Sequence, residues 1–327
     1  MQRRTFIQQS AVTAAAGGFA SAQGLDKKTV EPAVLGDGRF RYEVVEGWGA
    51  PPAGMNYQMG CALVADSRDR IYVHSQSQKA VLVFSRDGQL IADWGAEFAG
   101  PNAHGLYWSR EGRDEFLYFS HLSNNIVKTD LNGKVLLRLG DVKEESPTQV
   151  KFKFNRPTDL AVAPNGDLYV CEGYGGNQVH AFNRDGKYLR TFGQTGTAHG
   201  QFRTPHGIWI DTRGGKEPEV YVADRANGRA EIFTLSGEYK RTLSDLRNPC
   251  CFYVHGEHLF VPDLAARVTV FDGHDQVVAQ LGDGRGAPNP VNFQTPHALT
   301  LDSRGDLYVV EWLPDARLRK FHWRPRT

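Results

Sequence analysis

Three histidines, His104, His206 and His297, sit in closely similar stretches, AHGL, TPHG and TPHA, each opening an apolar run. Imidazole is the commonest metal ligand among side chains, and three protein nitrogens with a fourth position open form the donor set of a catalytic zinc. A purely structural role is the alternative, in which each imidazole sits on a backbone carbonyl in a crowded channel. A softer site that also draws on Cys61 or Cys250 is a further possibility, although buried cysteine usually acts as a small hydrophobe.

The elements that would bring these residues together are legible as an internal repeat. The histidine stretches align with three others to give MGCALVAD, AHGLYWS, PTDLAVAP, PHGIWID, PCCFYVH and PHALTLD. The equivalent position falls on Cys61, His104, Thr158, His206, Cys250 and His297, at spacings of 43, 54, 48, 44 and 47 residues, which is the length of a propeller blade. Each unit continues with a turn, a second strand such as DLYVC or EVYVA, a third such as RAEIFT, a tight turn and a fourth strand. Gly88, Gly133, Gly186 and Gly237 stand in those tight turns, where positive φ is needed. The sixth repeat ends after its third strand, RLRKFHW, and its missing fourth strand is supplied by FRYEVVEGWG, residues 40–49. The expectation is therefore an all-β, six-bladed propeller over residues 40–323, its ring closed by an N-terminal strand, with a linker over 23–39. Innermost strands line the channel, so histidines on alternate blades face one point. With 11 histidines in 327 residues, three falling by chance among six ring positions has odds of roughly one in a thousand.

The first 22 residues read as a removable targeting segment. Arg3-Arg4-Thr5-Phe6-Ile7 is a twin-arginine motif, followed by an Ala-rich run and the small-residue pattern Ala20-Ser21-Ala22. The expected destination is the periplasm or the extracellular space, reached through the twin-arginine export machinery. No stretch attains the ~20 apolar residues of a membrane span. Without Arg3 and Arg4 the chain has 36 basic against 37 acidic residues, so no basic surface argues for nucleic acid. The four cysteines, Cys61, Cys171, Cys250 and Cys251, are too few for a disulfide framework and have no zinc-type spacing. Acidic residues recur at the ends of second strands, at Glu172, Asp224, Asp263 and Glu311, and read as acceptors for backbone N–H groups between blades.

The segment YVADRANGR (residues 221–229) is close to the NHL-repeat signature, so the repeat pattern resembles the NHL propellers. A narrower likeness lies in AHGL, TPHG and TPHA taken with RPTDLAV, EGYGGNQV and VADRANGR. Together these resemble the peptidyl-α-hydroxyglycine α-amidating lyases, which cleave a peptidyl-α-hydroxyglycine to a peptide amide and glyoxylate. The resemblance implies zinc held by His104, His206 and His297, a catalytic Tyr174 and an active-site Arg225. A carbinolamide loses its hydroxyl proton as its C–N bond breaks. Phenol at its usual pKa of about 10 is a poor base for this, and a nearby cation and guanidinium are expected to lower it.

The chain also departs from that family. Gln76 stands where a second catalytic arginine belongs, with Lys79 nearby as a possible substitute. Ala298 replaces the aspartate expected to bind a structural calcium, so calcium is possible but lacks that carboxylate. Asn155 and Gly175 replace disulfide cysteines. The leading expectation is a zinc-dependent lyase acting on a small-molecule or peptide substrate. A non-catalytic NHL propeller binding a protein or ligand is the alternative. A lactonase-like enzyme ranks third, because its calcium ring of Glu, Asn and Asp is replaced here by histidine.

Overall fold

The computed structural model describes residues 33–286 and 291–326. The expected targeting segment, and the linker as far as residue 32, lie outside the described residues. The remainder is a ring of six mainly antiparallel sheets, with a short parallel pair, Gln194–Thr195 and Gln201–Phe202, in the connection between blades three and four. Blade one comprises Gly60–Ala65, Ile71–Ser75, Val81–Phe84 and Leu90–Trp94; blade two begins at Ala103–Glu111; blade three at Asp159–Val162; blade four at Pro205–Asp211; blade five at Tyr253–His255; and blade six at Pro296–Leu301. In blades one to five, strands follow chain order from the channel outward; in blade six the outer strands come from the N-terminal part of the described chain.

Closure occurs as the repeat arithmetic requires. Tyr42–Val45 pairs antiparallel with Leu318–Trp323, setting Tyr42 opposite Trp323 and Val45 opposite Lys320. The sheet extends further back than residue 40, since Val34–Leu35 pairs with Tyr42–Val45 as a fifth strand. An edge that would otherwise offer unpaired backbone groups is thereby covered. Blade two is also widened, by Gln149–Lys151 lying parallel to Val135–Gly140.

Packing follows the period-two alternation of the second strands. Tyr72, Tyr169, Tyr221 and Tyr308 recur at one blade position and are fully buried. The turn glycines have positive φ, from 82° at Gly186 to 91° at Gly237. In blade five the same corner is taken by Asp275 at φ 61°, an αL conformation that Asp tolerates better than most residues.

The acidic residues at second-strand ends act as latches between blades. Glu172 accepts the Asn155 N–H at 2.5 Å, Asp224 that of Arg203 at 2.7 Å, Asp263 that of Arg247 at 2.7 Å, and Glu311 that of Gln294 at 2.8 Å. Each donor lies in the connection entering the same blade, just ahead of its first strand. The latch therefore fixes where that strand begins.

Candidate metal centre

Strand starts are where the histidines sit, and a local irregularity aims them. In blade two the pairing runs from Ala103 opposite His121 to Leu106 opposite Phe119, so His104 and Gly105 together face one residue. The same one-residue excess occurs at His206-Gly207 in blade four and at His297 in blade six. A β-bulge turns a side chain out of strict alternation. Here it turns an imidazole toward the axis.

A glycine follows two of these histidines because the next blade's backbone passes close by. A Cβ on Gly207 would lie 2.3 Å from the Cys250 carbonyl oxygen, and one on Gly105 would lie 2.8 Å from that of Thr158. Those carbonyls orient the rings. His104 Nδ1 bonds Thr158 O at 2.6 Å, His206 Nδ1 bonds Cys250 O at 2.8 Å, and His297 Nδ1 bonds Cys61 O at 2.5 Å. The six ring positions thus alternate between imidazole and acceptor around the axis. A carbonyl can only accept, so each Nδ1 carries the proton and each Nε2 presents its lone pair. The structural and metal-binding readings of the histidines are compatible, because they use different ring nitrogens.

The three rings are 95–99 % buried, with centroids 4.8, 4.9 and 5.4 Å apart. One nitrogen from each falls in a group whose members all lie within 4.8 Å of one another. Burial, and then the neighbouring positive groups, hold His104 and His206 well below the usual imidazole range. Burial brings His297 down to about 4. All three are neutral at pH 7, the state a metal requires. Three neutral nitrogen donors suit a borderline divalent ion such as zinc. The thiols do not join them. Cys61 bonds Ala103 O at 3.1 Å, and burial pushes Cys250 up to about 12 despite Arg225 nearby. All four cysteines are free.

Tyr174 and Arg225 reach this centre from the loops after the second strands of blades three and four. The Tyr174 hydroxyl is 3.2 Å from His104 Nε2 and 3.1 Å from His206 Nε2. Arg225 Nη1 donates to the same hydroxyl at 3.3 Å. In the protein without metal, the guanidinium by itself does not lower the phenol below its usual pKa. Burial raises the Tyr174 pKa by more than Arg225 lowers it, so the phenol is protonated at neutral pH. Lys79, the possible substitute for an arginine at position 76, forms an exposed ion pair with Asp93 at 3.0 Å. Gln76 bonds Pro101 O at 3.0 Å. Ala298 is buried beside the channel, and Asp159 supplies a carboxylate there that accepts the Ile208 N–H at 3.1 Å. Burial raises Asp159 to about 7. The six ring residues line a cavity of about 70 Å³.

Two site residues were missed by sequence reasoning. Trp312 stacks on His297 at 5.0 Å and 29°. It follows Glu311 as Arg225 follows Asp224, so the repeat alignment contained its signal. Arg156 places its guanidinium carbon 5.2 Å from the Tyr174 ring centre. Nothing in its spacing announced this.

Fold and site together define the class: a six-bladed β-propeller with a histidine triad in its channel. The NHL repeat pattern itself matches residues 154–182, in blade three. The chain is similar to NHL repeat-containing protein 3 of Homo sapiens, at 25 % identity over 84 % of this chain and 82 % of that protein. It is also similar to peptidyl-alpha-hydroxyglycine alpha-amidating lyase 1 of Drosophila melanogaster, at 27 % identity over 58 % of this chain and 38 % of that protein. Among solved structures, a streptogramin B lyase superposes with a TM-score of 0.59 at 11 % identity, covering 86 % of this chain and 98 % of that one. That likeness concerns the fold alone.

Proposed function

We propose that this chain is an exported, zinc-dependent lyase of the amidating-lyase type, cleaving an α-hydroxylated amide to an amide and glyoxylate. The observation that carries the reading is the convergence of one nitrogen from each of three imidazoles within 4.8 Å of one another, beside a Tyr174 hydroxyl that lies 3.2 Å from His104 Nε2 and 3.1 Å from His206 Nε2 and accepts from Arg225. A bound zinc would supply Lewis acidity, lowering the pKa of O–H groups beside it. His104, His206 and His297 would hold it, each ring set by its carbonyl. Arg225 stabilises the phenolate form of Tyr174 by charge and by its hydrogen bond. The phenolate takes the substrate's hydroxyl proton as the C–N bond breaks, and the departing amide nitrogen receives a proton. The atoms balance without an oxidant. Export by the twin-arginine motif to the periplasm or beyond is part of the same reading, and suits a fold that carries its metal through already bound.

The alternative, a non-catalytic binding propeller, is favoured by the broad similarity to NHL repeat-containing protein 3 and by Gln76 in place of the second arginine. Metal analysis of protein purified without added metal separates the two. Near-stoichiometric zinc that disappears in the His104→Ala/His206→Ala double variant is expected; a metal-free, fully folded protein refutes the enzyme. Glyoxylate release from an α-hydroxyglycine-extended peptide then tests the activity. Tyr174→Phe should lower kcat by about 10²- to 10⁴-fold, the usual contribution of a general base.

A further inference from the structure

Tyr174 has two guanidinium neighbours. Arg225 lies 5.3 Å from its ring centre and Arg156 lies 5.2 Å away, the two approaching from different blades. Arg229 and Arg267, at the starts of the third strands of blades four and five, are tied to the carboxylates of Asp224 and Asp263. Among the described residues neither Arg156 nor Arg225 has such a partner. Arg156 is exposed, so its charge faces the solvent-side approach to Tyr174. Its backbone is in the left-handed region, at φ 58°, and its N–H is held by Asn124 Oδ1 at 2.8 Å. A side chain with a Cβ rarely adopts that conformation without tertiary support. Pro157 follows it and limits its freedom further.

Two unpaired guanidinium groups flanking one phenol beside a metal triad form a ready receptor for an anion, because each presents planar N–H donors suited to a carboxylate. We infer that Arg156 is a specificity-determining residue, which with Arg225 binds the carboxylate of the substrate at the mouth of the site. This rests on the lyase reading and extends it. Within the substrate class of the lyase reading, Arg156 reads the charge of the carboxylate, so the carboxamide counterpart is discriminated against.

The test uses the full chain as purified and two probes that cannot be turned over, N-benzoylglycine and N-benzoylglycinamide. Binding is followed by calorimetry and by the fluorescence of Trp312, which lies against His297. The wild type is expected to bind the acid at least about 10-fold more tightly than the amide. Arg156→Gln should lose that preference with amide affinity unchanged, and Arg156→Lys should recover part of it, since an ammonium keeps the charge but not the fork. Thermal melts of both variants establish that they fold. The inference is overturned if the wild type shows no preference, or if Arg156→Gln retains it. Glyoxylate release is read separately, so a protein that selects the acid through Arg156 yet releases no glyoxylate would sink the lyase reading alone.

Discussion

Removing the Asp263 carboxylate should loosen blade five and, through it, the metal centre. Asp263 is fully buried. Its Oδ2 accepts the Arg247 N–H at 2.7 Å, and its Oδ1 accepts those of Asn248 and Ala265, both at 2.9 Å. Asp263→Ala strands three backbone donors, each costing about 1–3 kcal/mol if left unmet. Water entering the vacated space recovers part of this, so a loss of roughly 3–5 kcal/mol is expected. Asp263→Asn keeps one oxygen for Asn248 and Ala265 but turns an NH₂ toward the Arg247 N–H, for a loss of about 1–2 kcal/mol. With an unfolding entropy of about 2.1 cal/mol/K per residue, the roughly 290 described residues correspond to ~0.6 kcal/mol per degree. The alanine variant should therefore melt about 5–8 °C lower and the asparagine variant about 2–3 °C lower, as read by calorimetry. Zinc affinity should fall in parallel. The Asn248 loop leads directly into Cys250, whose carbonyl holds His206 Nδ1 at 2.8 Å. An alanine variant melting within about 1 °C of wild type, or an asparagine variant as damaged as the alanine one, would refute the latch argument.

Two further outcomes follow from the geometry of the centre. Gly207→Ala forces the Cys250 carbonyl aside and should weaken zinc binding more than Gly256→Ala, where a Cβ meets nothing within 4 Å; equal affinities in the two variants would show that the carbonyl does not orient His206. In metal-stripped protein, His297 at about 4 and His74 at about 3 lie below an unfolded value near 6.5. Between those limits the unfolded chain binds protons that the folded one refuses. Stability is therefore full above pH ~6.5 and declines as the pH falls toward 4, by up to about 1.4 kcal/mol per pH unit for each histidine. Urea melts across that range measure it, and a flat profile would contradict the buried, neutral state of the rings.

Blade count, ring closure and the identity of the three histidines were legible in the sequence. They are repeated features: six strand starts at near-constant spacing, one strand short at the C-terminus, and histidine at every second start. Repetition averages out local ambiguity, and the ring that Tyr42–Val45 closes against Leu318–Trp323 is fixed by counting alone. The tertiary structure alone decided what repeat spacing does not encode. The bulges that aim the imidazoles, the carbonyls that select their tautomer and the left-handed Arg156 beside Tyr174 each depend on neighbours far along the chain. So does the protonation of Tyr174, where burial outweighs a guanidinium whose presence the sequence had already shown. Residue type and spacing encode which groups can meet. The balance of desolvation, charge and hydrogen bonding at their meeting point is set by distances that only the closed propeller defines.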